Sequence, residues 1–267
     1  MRTRLRSAAV MLIRALGVVV LFAPIGIFVL YGLSTRWFYP AILPKEWTIQ
    51  PLLNRLDDPQ MVTALITSVQ IAVLVSVLSL VVGYPAARTL GTRTFRGKGL
   101  IYLLLFLPTI VPPVATGIGL NILFLRLDLA GTIFGVAVVH LIPVLPYVVF
   151  TLAGVFARYD QHFEYQARTL GASGLRLFWL VTLPLIFPGI VVATLWAFLI
   201  SWSQYLLTLL IGGGRVITLP ILLFSTVAGG NPASISGLAL IFVAPLVLLL
   251  AVASRYLAVE RGLMTNY

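Results

Sequence analysis

Two histidines, His140 and His162, seven carboxylates and no cysteine are the whole supply of metal-ligating and acid–base side chains in this 267-residue chain. No H-E-x-x-H pattern occurs, and two histidines are too few for a zinc enzyme. Without cysteine there are no disulfides, thiolates or Cys-based metal sites. A phosphate-cradling loop would read G-x-x-x-x-G-K-[ST]. The nearest approach is "TRTFRGKG", Thr92 to Gly99, which lacks the first glycine and has Gly99 where a magnesium-ligating hydroxyl belongs. It reads as a basic loop. The expectation is a chain that is not an enzyme, with no catalytic set, metal site or cofactor of its own.

The elements that carry these residues are apolar. The chain is 60% hydrophobic and only 9% charged, with a mean hydropathy of +1.08. A soluble fold has about a quarter of its residues charged, so the bilayer must serve as part of the solvent. A spanning helix needs about 20 mostly apolar residues. Six segments meet this, at 8–33, 61–90, 100–125, 130–157, 183–211 and 235–258. The basic start and long apolar run at the N-terminus, with no small-x-small cleavage site after it, read as an uncleaved span rather than a signal peptide. With the N-terminus taken as cytoplasmic, thirteen Lys and Arg fall on the inner side. Five (Arg36, Lys45, Arg55, Arg126 and Arg215) fall outside. This is the positive-inside pattern. It accounts for the net charge of +11 without nucleic acid and puts both termini in the cytoplasm. Of the outer segments, one carries Trp37, Tyr39 and Trp47, which suit a membrane interface. The other holds an apolar stretch at 220–228, too short to span and suited to a re-entrant or surface helix.

Few polar groups sit inside the spans. Arg126 and Asp128 close the third span and can pair with each other. His140, in the fourth, reads as a hydrogen-bonded packing histidine rather than a proton relay. The third span contains "LPTIVPPVATGIGLNI". Pro112 and Pro113, with Pro108 and two glycines, cannot form a straight regular helix. Such a break belongs in a pathway lining or in a kinked packing helix. In "ISWSQYLLTLL", helical spacing puts Ser201, Gln204 and Thr208 near one face, with Ser203 beside them. That face lines a polar pathway or hydrogen-bonds neighbouring helices, and the pathway is the preferred reading.

The longest inner loop, "RYDQHFEYQARTLGASGLRLFWLVTLP", suits a helix from 159 to 170 stopped by Gly171 in a left-handed conformation. Ser173 can cap a second short helix running to about Val181. Phe163, Ala167 and Leu170 follow one face, as do Leu175, Phe178 and Trp179. Such a pair either rests on lipid headgroups or docks into a partner's groove, and spacing alone leaves these level.

The loop resembles the EAA motif, E-A-A-x3-G-x9-I-x-L-P, of permease subunits of binding-protein-dependent ABC importers of the type I fold. Ala167, Gly171, Leu183 and Pro184 match in register, and Val181 stands in the isoleucine place. Tyr165 and Gln166 occupy the glutamate and first alanine places, with Glu164 adjacent. The segments "TFRGKG", "LPTIVPPVATGIGL", "HLIPVLPYVV" and "SWSQYLLTLLIGGGRVITLP" are also similar to members of this family, in the branch with polyamine, thiamine-like, iron and oxyanion permeases. The likeness covers about 61–255.

The resemblance implies an all-α membrane protein of six transmembrane helices in the inner membrane of a prokaryote. It divides into an N-terminal span and outer segment at 1–60, a core at 61–258 with the coupling loop at 159–184, and a cytoplasmic tail at 259–267. It also implies an ABC ATPase dimer that binds the ATP and magnesium, a second permease subunit of the same or a homologous chain, and an extracytoplasmic solute-binding protein. Transport would proceed by alternating access. The ATPase-coupling residues would be Glu164, Tyr165, Gln166, Ala167, Arg168, Gly171, Ala172 and Ser173. The substrate pathway would include Pro112, Pro113, Ser201, Ser203, Gln204 and Thr208, and the segment 212–232 would face the binding protein. An ion-coupled secondary transporter, or a channel or scaffold, is the reading in the absence of an ATPase.

Overall fold

The computed structural model describes residues 2–34, 37, 41 and 43–264, with side chains described except at 2–9, 21, 24, 51 and 256–264. Arg36 and Tyr39, expected in the outer segment, lie outside the described residues. Twelve α-helices follow in order: α1 (Arg2–Gly32), α2 (Gln50–Leu56), α3 (Pro59–Thr92), α4 (Lys98–Ile110), α5 (Pro113–Arg126), α6 (Ile133–Phe156), α7 (His162–Thr169), α8 (Gly174–Leu177), α9 (Leu183–Trp202), α10 (Leu206–Gly212), α11 (Leu219–Ala228) and α12 (Pro232–Met264). A π-helical stretch, Phe178–Thr182, joins α8 to α9. Among the described residues four helices are long and apolar enough to cross a membrane, or up to six if each bent pair counts as one span.

The third expected span is one of those pairs. Helices α4 and α5 meet at 97°. The cause is local: Val111 precedes Pro112 and Pro112 precedes Pro113, and a residue before proline is driven out of the helical region. Both take extended ψ, 128° and 131°, and Pro113 then starts α5, where a missing N–H costs nothing. The fifth span also differs from expectation. It begins at Gly174 and runs unbroken to Trp202 over 29 residues, so the second short helix expected at 173–181 is the start of the span. It ends early, because residues 203–205 leave the helix before α10. Ser201, Gln204 and Thr208 therefore do not share one helix face. Helix α12 continues through 259–264, the start of the expected tail. The short apolar stretch near 220–228 is the helix α11, as expected.

The chain forms two compact units, residues 1–62 with 222–245 and residues 63–221 with 246–267. Residues 222–245 group with the N-terminal span in the first unit. In the first unit Thr48 N–H donates to the Leu33 carbonyl at 2.9 Å, beside a single bridge between Ser34 and Trp47. The Trp37 indole donates to the Ala41 carbonyl at 2.9 Å and stacks at a tilt on Tyr31.

The core of the second unit is built where α6 meets α9 and α4, with Ile71, Val75, Val148, Leu152, Phe156, Ile186 and Ala193 fully enclosed. Within lipid, helices associate through close packing rather than escape from water, so small residues mark their contacts. Gly91 of α3 is such a contact: a Cβ there would collide with the Phe156 side chain and lie 2.7 Å from the Ala153 carbonyl oxygen. Gly119 of α5 faces open space. Gly91→Ala should therefore lower the thermal stability of the detergent-solubilised chain by about 1–3 kcal/mol, the usual cost of overpacking. Gly119→Ala should leave it unchanged or raise it, and unfolding followed by tryptophan fluorescence measures both.

Candidate functional site

Two polar arrangements stand out in the second unit, and the loop at 159–184 organises the first. Helix α7 ends as expected at Gly171, whose φ is +87°. The closing hydrogen bonds are Ala172 N–H to the Ala167 carbonyl and Gly171 N–H to the Arg168 carbonyl, both 3.0 Å. That is the Schellman pattern, which satisfies two carbonyls the helix leaves open. Ser173 precedes α8 with an extended backbone, but its hydroxyl makes no capping bond; its carbonyl accepts from Arg176 N–H instead. The outward side of the turn is apolar and open, with Leu170 89% and Leu175 75% exposed, and Phe163 and Tyr165 half exposed. Gln166, Arg168, Gly171 and Ser173 are exposed, and Ala167 and Ala172 partly so.

Glu164 does not belong with these. It is only 4% exposed and faces into the protein. Arg88, near the end of α3, donates to both of its carboxylate oxygens, at 3.0 and 2.7 Å. The Tyr159 hydroxyl and the Thr182 hydroxyl each donate to Oε1 at 2.9 Å. Burial alone would raise the carboxyl pKa. The hydroxyls of Tyr159 and Thr182 and the charge of Arg88 outweigh it and hold Glu164 below the ordinary carboxylate value. Burial pushes Tyr159 up to about 12, with Glu164 adding to the rise, so this phenol stays a donor. The hydrogen bonds of this acid, expected among the coupling residues, are thus made within the chain.

The second arrangement surrounds His140, which is 1% exposed. Its Nδ1 lies 3.0 Å from the Ser201 hydroxyl and its Nε2 2.9 Å from that of Thr208. The Thr208 hydroxyl has one proton, which it donates to the Gln204 carbonyl at 2.9 Å. The neutral ring therefore donates from Nε2 to Thr208 and accepts at Nδ1 from Ser201. One imidazole thus spans the gap between α9 and α10, as the packing reading of His140 required. Ser201, Gln204 and His140 line a narrow crevice with Ser68, Trp202 and Thr218. Within it the buried Thr218 hydroxyl has no hydrogen-bond partner. Ser203 is turned away, exposed, and donates to the Ile200 carbonyl at 3.2 Å. Pro112 and Pro113 sit at the exposed corner between α4 and α5. The expected pathway residues therefore fall into two groups, of which only Ser201, Gln204 and Thr208 converge. Arg126 and Asp128 do not pair; among the described residues the ion pairs are Arg88–Glu164 and Arg55–Asp58.

Sequence reasoning missed Arg88, Tyr159 and Thr182 as partners of Glu164, and His140 as the bridge. One signal was available: a carboxylate amid aromatic residues needs a cation, and Arg88 is the first basic residue after the apolar run of α3.

Several apolar spanning helices, a polar crevice among them and a tied loop bearing an exposed apolar turn define a multi-pass transport protein of the membrane. The chain belongs to the family of binding-protein-dependent transport system inner membrane components, whose sequence model matches residues 79–259. It is 34% identical over 243 residues to the molybdenum transport system permease protein ModB of Mycobacterium tuberculosis, across 80% of this chain and 92% of that one. It is 29% identical over 246 residues to the putrescine transport system permease protein PotI of Escherichia coli, across 88% and 85%. A Salmonella paratyphi A permease named for 2-aminoethylphosphonate transport, PhnV, is 28% identical over 247 residues, across 92% of each chain. In fold it is similar to a bacterial ABC transporter involved in the import of the acidic polysaccharide alginate. The TM-score is 0.76 at 18% identity, across 95% of this chain and 96% of that one. The all-α membrane fold and the inner-membrane location expected from the sequence both hold.

A carboxyl whose pKa is lower when folded contributes stability that is complete above its unfolded pKa and is lost as pH falls through the folded value. Glu164→Gln should therefore unfold at lower temperature than wild type at pH 7, with the gap narrowing as pH falls through the carboxylate range. Thermal unfolding of both proteins in detergent, followed from pH 7 down to about pH 2, measures it. A gap that ignores pH would mean that the charge is not what stabilises.

Proposed function

We propose that this chain is a permease subunit of an ATP-driven importer, which forms part of the solute pathway and is coupled through the 159–184 segment to a separate ATPase. The observation that carries this reading is the turn after α7. Two large apolar side chains, Leu170 and Leu175, flank a left-handed glycine and are 89% and 75% exposed, while the helix behind them is fixed by an ion pair between the buried Glu164 and the partly exposed Arg88. An apolar knob on a rigid mount suits insertion into a partner's groove. Arg168 beside it matches an acidic rim. The ATPase partner, a dimer, supplies ATP and magnesium. A second permease subunit completes the pathway, and an extracytoplasmic binding protein delivers the solute to the side of residues 212–232. Both termini lie on the ATPase side. Closure of the ATPase dimer drives alternating access.

Ser201, Gln204 and Thr208, drawn together by His140, are the polar part of the pathway on this reading. Ser203, Pro112 and Pro113 line it only if the break at 203–205 and the corner at 111–113 turn towards it. The crevice offers hydroxyl, amide and imidazole groups and no carboxylate. That favours a solute held by hydrogen bonds over one held as a polyvalent cation. The relatives named for molybdenum, putrescine and 2-aminoethylphosphonate transport set small polar solutes as the class to assay.

The chain has no cysteine, so Leu170→Cys introduces a unique thiol at the turn. In inside-out vesicles it should form a disulfide or bismaleimide cross-link with a cysteine in the ATPase groove. Protection from water-soluble maleimide in the assembled complex, and reactivity without the ATPase, are the accompanying results. Gly171→Asp, which puts a negative charge on a left-handed position at the apolar turn, should abolish ATP-driven uptake while the protein still inserts and is recovered in the membrane. Normal uptake by that variant would overturn the coupling assignment.

A further inference from the structure

We propose that Arg88 and Glu164 are positioning residues that lock α7 to the end of α3, so that these two elements move as one body when the ATPase moves. The inference rests on the coupling reading above and adds a second route by which movement enters the spans. In the motif this loop resembles, the acid would stand at position 165. Here that place holds Tyr165, which is half exposed and donates to Gln161 Oε1 at 3.3 Å. The acid stands one residue earlier, about 100° around the helix. The shift turns it from the outward side of α7 to the inward side.

On that inward side the carboxylate joins four parts of the chain. Arg88 comes from α3, 76 residues away, Tyr159 from the exit of α6, and Thr182 from the π-helical stretch that leads into α9. An aromatic collar surrounds the pair. The Tyr84 ring meets Phe156 and Phe178 edge-on at 5.6 Å each, and Phe156 meets Tyr159 at 5.8 Å. Arg88 also donates to the Tyr84 hydroxyl at 3.2 Å. Glu164, on the inner side of this pair, is screened less by salt and water than a carboxylate at an open surface, while Arg88 stays partly exposed.

The mechanical consequence follows from the size of α7. It has eight residues, far too few to be a stable helix alone, so its position depends on its neighbours, among them the π-helical stretch and α8. At its far end a Cβ on Gly171 would touch nothing. Force on the Leu170 turn can pass into the fifth span through α8 and the π-helical stretch. The Arg88–Glu164 pair adds a tie to α3 and makes α3 a second span that receives the stroke.

The test is a distance within the chain, measured in the complex purified from the source organism with its ATPase and reconstituted in nanodiscs. Spin labels go at Gln166→Cys on α7 and Ala86→Cys on α3, both exposed. Distances are read by pulsed electron resonance, without nucleotide and after trapping with ATP and vanadate. A third label in the ATPase groove reports whether the turn is docked. In the otherwise unaltered protein the distance from 166 to 86 should be a single narrow peak that stays put on trapping. In Glu164→Gln and in Arg88→Gln it should broaden, or shift by the roughly 1–2 Å typical of helix displacements, on trapping. The exchange Arg88→Glu with Glu164→Arg should restore the fixed distance. A residue that only helped folding would lower the yield of complex, and the exchange would not bring back the fixed distance. A 166–86 distance that changes on trapping in the unaltered protein, or that stays fixed in both single variants, overturns the proposal. If no ATPase co-purifies, or the groove label finds the turn undocked, it is the coupling reading that fails.

Discussion

A single carboxylate enclosed by apolar and aromatic side chains is the constraint on which the second unit turns. Removing a charge from water is tolerable only if cation and hydrogen-bond donors replace the lost solvation. Glu164 obtains them from three separate stretches of chain, so satisfying one side chain fixes where α3 ends, how α6 leaves the core and where α9 begins. Replacing the acid by an apolar residue would leave Arg88, Tyr159 and Thr182 each lacking an acceptor, at about 1–3 kcal/mol per unsatisfied buried group. The outward turn at Leu170 is free to be apolar because the inward side of the same short helix is so firmly tied.

The same accounting governs the broken helices. Where backbone leaves a helix in an apolar medium, its open groups must find partners in the protein. The C-terminal carbonyls of α10 do so: Asn121 Nδ2 donates to the Leu210 carbonyl at 2.8 Å, and Gly131 N–H donates to that of Ile211 at 2.8 Å. At the start of α11, Leu219 N–H donates to the Ser68 hydroxyl at 2.8 Å. Across the gap between α9 and α10, His140 joins side chains instead, binding the Ser201 and Thr208 hydroxyls with its two ring nitrogens. Ser76, Ser79 and Thr194 donate to carbonyls within their own helices. The Thr218 hydroxyl is enclosed without a partner in the crevice beside His140.

Much of this was legible in the residues. Hydropathy gave the spans, because a run of about 20 apolar residues has few other solutions. Gly171 was legible as a helix stop because a left-handed residue after a helix is usually glycine. The corner at Pro112–Pro113 was legible as a break, though its 97° angle was not, since packing sets how far a broken helix turns. Three features were out of reach for physical reasons. Periodicity assumes a helix continues, so the gap at 203–205 scattered a face that spacing had drawn together. The inward direction of Glu164 depends on a residue 76 positions away. The grouping of 222–245 with the N-terminal span is long-range packing, which no local pattern encodes.

The account stands or falls on the loop at 159–184 being held from within and read from without. The most direct measurement is an electron cryomicroscopy structure of the complex in nanodiscs, at a resolution that shows side chains. The account predicts Leu170, Gly171 and Ala172 seated in a groove of the ATPase, with the Glu164 carboxylate still bound by Arg88 on the opposite side of the same helix. A turn lying free in the lipid headgroups, or Glu164 swung out to meet the partner with Arg88 left behind, would contradict it.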